Sequence, residues 1–293
     1  QGDLFYQHHR RSATYSDYAL LSPFPPLFSV FGQEDYSQNR FYPRVGLVYC
    51  FNDGPQVRLA YQRWLRPSLF SSLGPVATAG IPLDDRLVMR GGELTRLRGQ
   101  FEWEYSKKSF VSAFLDYKEV DNKRFSQTPF TLNELESLAK LRPRRLGSLA
   151  SDDMLEFVNT PEYDEGKIRS AGVSINHLLT DKWGLFSRYV ATSSENTGTT
   201  FSGNRVPYLP RHIFALGATW VDPSGWYFIS RMVYRSIRYK DEANLVPLDS
   251  GWSGAFDLFW QSKDRHWLLR VSADNAFDKN NPTQYTAEIN FRF

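Results

Sequence analysis

The sequence predicts an all-β chain: an antiparallel, up-and-down transmembrane β-barrel with about twelve or more strands and long external loops. Three observations point there. Apolar and polar residues alternate with period two over segments of roughly ten residues, long for a soluble sheet. Short and long connections alternate strictly along the chain, as where one barrel end carries tight turns and the other extended loops. Tryptophan gathers at the connections, where its apolar ring and polar N–H suit a membrane-water boundary.

Composition removes the competing classes. The 293 residues carry 35 Lys+Arg against 32 Asp+Glu, a net +3 that is too balanced for neutralising many phosphates, so no nucleic-acid partner is expected. With 8 Trp, 16 Tyr and 22 Phe the chain holds more apolar area than a disordered segment would. One cysteine, Cys50, excludes an internal disulfide framework and a multi-Cys zinc site. Mean hydropathy is -0.47 and no apolar run approaches the roughly 20 residues of a spanning helix. Strands that meet lipid at every second position escape that test. The chain opens on Gln with no signal peptide, as a processed chain or a fragment would.

The elements follow in order. A first strand, the least clear, is expected near Leu4 to Arg11, and Tyr18 to Phe31, with Pro23, Pro25 and Pro26, reads as a loop. PRVGLVYCF places Val45, Leu47, Tyr49 and Phe51 on one side, and QVRLAYQ places Val57, Leu59 and Tyr61. LTRLRGQFEWEY opposes Leu97, Phe101, Trp103 and Tyr105 to Arg96, Arg98, Gln100, Glu102 and Glu104. FVSAFLDYK, RSAGVSIN, HIFALGATW, WYFISRMVYR, GAFDLFWQ and WLLRVSAD continue the alternation. WGLFSRYVA is poorer, because Phe186 and Val190 share a face with Arg188. QYTAEINFRF closes the series, with Tyr285, Ala287, Ile289, Phe291 and Phe293 facing away from Gln284, Thr286, Glu288, Asn290 and Arg292.

Short links fall at Asn52 to Gln56, Ser106 to Lys108, Thr180 to Lys182, Asp222 to Gly225 and Ser262 to Arg265. Long ones fall at Arg66 to Gly92, Asp121 to Gly166, Thr192 to Pro210, Ile237 to Leu248 and Ala276 to Pro282. Trp103, Trp183, Trp220, Trp226, Trp260 and Trp267 lie near short turns, and Trp64 and Trp252 near long loops, predicting two girdles. The whole chain, 1–293, is read as one barrel domain and as the C-terminal part of a longer protein. Its 122–166 loop is external, with a short helix near 132–141 set by the capping pattern Thr131 to Glu134 and ended before Pro143. A soluble antiparallel sandwich would alternate too; strand length and tryptophan placement speak against it.

FYPRVGLVYCFNDGPQVRLAYQRWLRPSLFSSL resembles the mid-barrel segment of TonB-dependent receptors, with a PR-x-GL-x-Y strand and a following strand ending in R-x-PSL. NAFDKNNP resembles their N-x-FDK loop, and the terminal Phe293 is similar to the aromatic end that the barrel assembly machinery recognises. The resemblance covers about Phe41 to Phe293. It implies a Gram-negative outer-membrane location, contact with outer-membrane lipid, periplasmic transport partners, and passage of a solute or polymer. A complete receptor of that family adds a plug domain, a TonB box and about 22 strands, for which 293 residues leave no room, so energised uptake does not carry over to this chain alone. PVATAGIPLDDRL also looks like barrels that follow helical repeats in polysaccharide exporters. A receptor or adhesin anchored by its barrel is a third reading.

If the apolar face meets lipid, the other lines water. Pore-lining candidates are Arg58, Arg96, Arg98, Glu102, Asp116, Arg231, Arg235, Asp257 and Arg270, with Gln62, Gln100, Glu104, Lys118, Asp274, Glu288 and Arg292 on the same side. Most should brace the wall as cross-strand pairs. Arg231 and Arg235, i and i+4, face either an anionic solute or a neighbouring carboxylate. The 121–166 loop either folds inward as a constriction or stays solvated. Its Arg142, Arg144 and Arg145 are candidate contacts for anionic headgroups or an anionic polymer, against the plainer reading of a solvated charge run. Thr192 to Pro210 suits sugar hydroxyls or simple exposure. His8, His9, His177, His212 and His266 are scattered, and no Gly-x-Ser-x-Gly or HExxH occurs, so no enzyme and no cofactor is expected. Asp84-Asp85 and Asp152-Asp153 are weak calcium patterns, and no metal is expected.

Overall fold

The computed structural model describes residues 2–18, 29–52, 54–66, 77–84, 86–89, 92–122, 163–278 and 282–291, with side chains from residue 41 onward. Sixteen strands are present among them, and twelve form one antiparallel sheet. These are β1 (Gly2–Tyr18), β2 (Ser29–Cys50), β3 (Gln56–Leu65), β6 (Glu93–Ser106), β7 (Ser109–Asp121), β8 (Glu165–Leu178), β9 (Trp183–Asn196), β10 (His212–Val221), β11 (Trp226–Arg235), β14 (Gly251–Gln261), β15 (Trp267–Ala276) and β16 (Gln284–Phe291). Each pairs with its neighbour in the chain, an up-and-down order. The remaining four are two-residue strands in two small hairpins: β4 (Ala77–Thr78) with β5 (Ile81–Pro82), and β12 (Arg238–Tyr239) with β13 (Pro247–Leu248).

The expected dozen long strands are therefore present. β1 and β2 run well beyond the expected Leu4 to Arg11 and PRVGLVYCF segments and pair from Gly2↔Val45 to Tyr18↔Ser29. The expected helix near 132–141 and nearly all of the 122–166 loop lie outside the described residues.

Register assigns every side chain to a face. Arg58 pairs with Gln100, Gln62 with Arg96, Arg98 with Asp116, Asp116 with Ser170, Ser174 with Arg188, Gly217 with Arg231, Ile229 with Asp257 and Arg270 with Glu288. Directly opposed residues share a face, so the polar set lies on one side of the sheet. The odd residues of β2, β3, β6 and β7 take the other side.

Burial is inverted relative to a water-soluble sheet. Leu47, Leu115 and Ile289 are 63%, 70% and 72% exposed, while Arg96 is 2% and Gln62 0%. In water, each exposed leucine would forfeit roughly 2 kcal/mol of transfer free energy, and so large an apolar surface would drive association. In hydrocarbon that cost vanishes. Tryptophan follows the same logic at the short-turn end, where Trp183 stands opposite Trp220 and Trp226 opposite Trp260, all on the apolar side. Trp252 lies on the apolar side at the other end beside Phe214 and Tyr234. Trp64 does not join a girdle. It lies on the polar side and packs with Val88, Leu94, Val120, Tyr163, Ile168 and Val206 in a small core at the long-loop end, because the segment after β3 folds back and covers it.

Candidate transport site

That folded-back segment occupies the polar side of β2, β3, β6 and β7. Ala79 and Gly80 both have positive φ, 51° and 75°, the conformation of a tight two-residue hairpin turn between β4 and β5. Gly46 in the wall lets the hairpin lie flat, since a Cβ there would stand 2.6 Å from the Ala79 Cβ. Gly80 leaves room for Arg58, whose Nη1 would meet a Cβ at 2.3 Å. The turn thus reaches the level of Arg58, roughly 23 Å along β3 from where the segment leaves it.

Wall side chains hold this strap by its backbone. Arg58 Nη1 donates to the Ala79 carbonyl at 2.9 Å, Gln62 Nε2 to Ile81 at 3.2 Å, Arg96 Nη1 to Pro82 at 2.8 Å and Arg66 Nη1 to Val88 at 2.6 Å. Asn122 Oδ1 accepts from the Met89 N–H at 2.7 Å, and Tyr163 donates to the Leu87 carbonyl at 2.8 Å. Lys118 Nζ pairs with Asp84 at 2.6 Å, and Arg86 Nε with the same carboxylate at 2.8 Å. Burial alone would raise the Asp84 pKa. The Arg86 hydrogen bond and the Lys118 charge outweigh it and hold the carboxyl well below the usual range. Burial pushes the Tyr163 hydroxyl far up.

Beneath the strap the charges are paired. Arg96 binds both Asp116 oxygens, at 2.7 and 2.8 Å, with Arg98 at 3.4 Å and Lys118 at 3.9 Å from the same carboxylate. Arg58 Nε meets Glu102 at 3.1 Å. Farther along the sheet Arg270 pairs with Asp257 at 2.8 Å and approaches Glu288 at 4.0 Å. The bracing expected of Arg58, Arg96, Arg98, Glu102, Asp116, Asp257 and Arg270 is what the geometry shows.

From β8 to β14 the polar side changes character. Gly172, Ser174, Ala215, Gly217 and Ala255 keep the wall thin. The Phe114 ring lies on Gly172 and the Phe186 ring on Gly217, where a Cβ would stand 2.4 and 1.8 Å from ring carbons. This accounts for the irregular β9 pattern: Phe186 is on the polar side, flattened over a glycine. Arg98 sits over the Phe114 ring at 4.0 Å, and Arg188 stands 6.0 Å from it. Arg231 and Arg235 have no carboxylate within 4.0 Å among the described residues; Arg235 donates to Ser253 Oγ at 3.0 Å. Asp278 lines the same rim pocket as Arg235 and attracts it electrostatically. At the rim Arg238 is shifted down, first by burial and then by the Arg235 charge, with Asp278 opposing.

Two further expectations concern the loops. Asp84 serves Lys118 and Arg86 as an ion-pair partner, and Asp85, the other half of that calcium pattern, lies outside the described residues. The 197–211 connection is not simply solvated: Asn204 donates to the Glu242 carbonyl at 2.8 Å, Tyr208 N–H to Tyr239 at 2.7 Å, and Val206 is 1% exposed. The histidines stay apart, His177 on Ser109 Oγ and His212 on the Tyr189 hydroxyl. Arg142, Arg144, Arg145, Asp85, Asp152, Asp153, Arg292 and Phe293 lie outside the described residues. Sequence reasoning missed Arg188, Phe114, Phe186 and the strap.

Residues 6–276 match the family described as TonB dependent receptor-like, beta-barrel. No curated protein matches the chain in sequence. Among solved structures it is similar to the ferric yersiniabactin uptake receptor FyuA from Yersinia pestis, at 16% identity and a TM-score of 0.59 over 99% of this chain and 40% of that one. The ferric-catecholate import receptor Fiu from E. coli K12, in its closed form, gives 12% and 0.59 over 99% and 41%. The unliganded ferric citrate transporter FecA gives 15% and 0.53 over 88% and 37%. The chain spans about two fifths of the length of these receptors.

Proposed function

The chain belongs to the TonB-dependent receptor-like β-barrel family, an outer-membrane transport family, and from that premise we propose that its polar side is the wall of an aqueous path for an anionic solute across the Gram-negative outer membrane. In this reading the short turns face the periplasm and its transport partners, among them TonB. The long loops, including 122–166 with its helix and Arg142, Arg144 and Arg145, face outside. Terminal Phe293 is the aromatic residue read by the barrel assembly machinery.

The observation that carries the solute class is the contrast within one wall. Under the strap Arg58, Arg66, Arg96, Arg98 and Lys118 each have a carboxylate or carbonyl partner. Along β8 to β14, Arg231 has no carboxylate within 4.0 Å among the described residues and stands opposite Gly217 and Ala255, which leave room, while Arg235 is attracted by Asp278 at the rim. Cations along an aqueous path concentrate anions and order their passage. Ferric citrate, named for FecA, is a solute of that charge class. The work of this chain is transport.

In the full-length protein, Arg231→Glu with Arg235→Glu reverses two charges on the path. Uptake of the anionic solute by cells is expected to fall about a hundredfold, two oriented ion contacts at roughly 1.5 kcal/mol each. Uptake equal to wild type at matched surface abundance would remove both residues from the path.

A further inference from the structure

The polar side is not polar throughout. Among the described residues, β8 to β11 place no carboxylate on it. Phe186, Val190, Ile213, Ile229 and Val233 stand there beside Arg188, Arg231 and Arg235. An ion that keeps its water gains nothing from apolar surface, whereas an anion with an apolar body buries that body against it.

Arg188 stands at the middle of this patch. Gly172 on β8 is opposite Val190, two residues along β9 in one direction, and Gly217 on β10 is opposite Phe186, two residues along in the other. One strand spacing across and two residues along put each glycine about 8 Å from Arg188. The Phe114 ring lies on the first glycine and the Phe186 ring on the second. Directly beside Arg188 are Ser174 and Ala215, whose small side chains keep the floor between the two rings low.

The two arginines near Phe114 differ in what they already hold. Arg98 sits 4.0 Å over the ring and pairs with Asp116 at 3.4 Å. Arg188 is exposed, stands 6.0 Å from the ring at the limit of cation–π contact, and has no carboxylate within 4.0 Å among the described residues. A guanidinium in that state can take a carboxylate through two parallel N–H donors. A planar group attached to that carboxylate then reaches either phenylalanine, where offset or edge-on stacking adds to the ion contact.

We infer that Arg188 is a specificity-determining residue of the path and that it selects a small aromatic carboxylate, with the carboxylate on its guanidinium and the ring against Phe114 or Phe186. The assignment rests on the polar side being the path of an anion, and it narrows that anion to one with an aromatic body.

The test is calorimetric titration of the purified full-length protein in detergent with benzoate, with its neutral analogue benzamide, and with citrate. Wild type should hold benzoate more tightly than either of the others. Arg188→Gln should weaken benzoate about tenfold and leave benzamide unchanged, and Arg188→Lys should restore part of the loss. Phe114→Leu with Phe186→Leu keeps apolar volume but removes both rings, and should weaken benzoate while sparing citrate. Heat-modifiable migration shows that each variant retains its barrel. Citrate held as tightly as benzoate, or benzoate binding that Arg188→Gln leaves intact, would overturn the inference while the anion path stands. Binding of neither anion would remove the reading beneath it too.

Discussion

Arg96 is the most enclosed charge of the wall, with side-chain exposure of 2% against 5% for its partner Asp116. Removing one member of such a pair leaves the other desolvated and unmatched, which costs 3–5 kcal/mol where nothing substitutes. Arg98 and Lys118 remain near Asp116, so Arg96→Ala is expected to cost about 3 kcal/mol, the low end of that range, measured by urea unfolding of the refolded barrel in detergent. A second expectation concerns Gly217. A methyl there collides with the Phe186 ring, so Gly217→Ala must swing the ring off the wall, with overpacking of about 1–3 kcal/mol by the same unfolding assay. Gly217→Ala combined with Phe186→Ala should recover most of that loss. At this scale the sequence was legible in part. Alternation placed the predicted wall charges that the structure describes on one common face of the sheet. Which arginines pair depends on cross-strand register, and register is set by loop geometry that alternation does not encode. Phe186 read as a blemish because its glycine partner lies on another strand, 31 positions away in a pattern without local trace.

The strap is the element that the sequence concealed. Residues 77–89 show neither period, and the wall recognises mostly their carbonyl oxygens, which every residue possesses. The signal available was Gly46 beneath Ala79 and Gly80 beside Arg58, and it becomes meaningful only once the segments are seen in contact. Among the described residues this shorter connection is the one that lies against the polar side of the wall, and nearly all of the 121–166 loop lies outside them. Asp84 gives it a pH dependence. Its folded pKa lies below the reference value of 3.8, so its contribution to docking is complete above about pH 4 and is lost as pH falls toward the folded value. Amide exchange of Ala79 to Leu87, corrected for intrinsic rates, should therefore lose protection progressively below about pH 4 in wild type. Asp84→Asn should show reduced protection that no longer varies with pH. An identical pH response in the two proteins would show that another group governs docking.

The described sheet is an amphipathic wall whose apolar side is exposed and whose charged side is buried where the strap covers it, an arrangement that water penalises and a bilayer favours. That architecture was legible from the start, because period two survives wherever one face meets a single solvent, and because strict alternation of short and long connections fixes the up-and-down order. The shape of the enclosed side was not, since it is built from inward loops. The most direct test uses β7 in native membranes. With Cys50 replaced by Ser, single cysteines at Val111 through Tyr117 are treated with a charged, membrane-impermeant thiol reagent added from the aqueous phase. Reaction is expected at Ser112, Phe114 and Asp116, and protection at Val111, Ala113, Leu115 and Tyr117. Reaction at the odd positions, or uniform reaction along the strand, would contradict this assignment of faces.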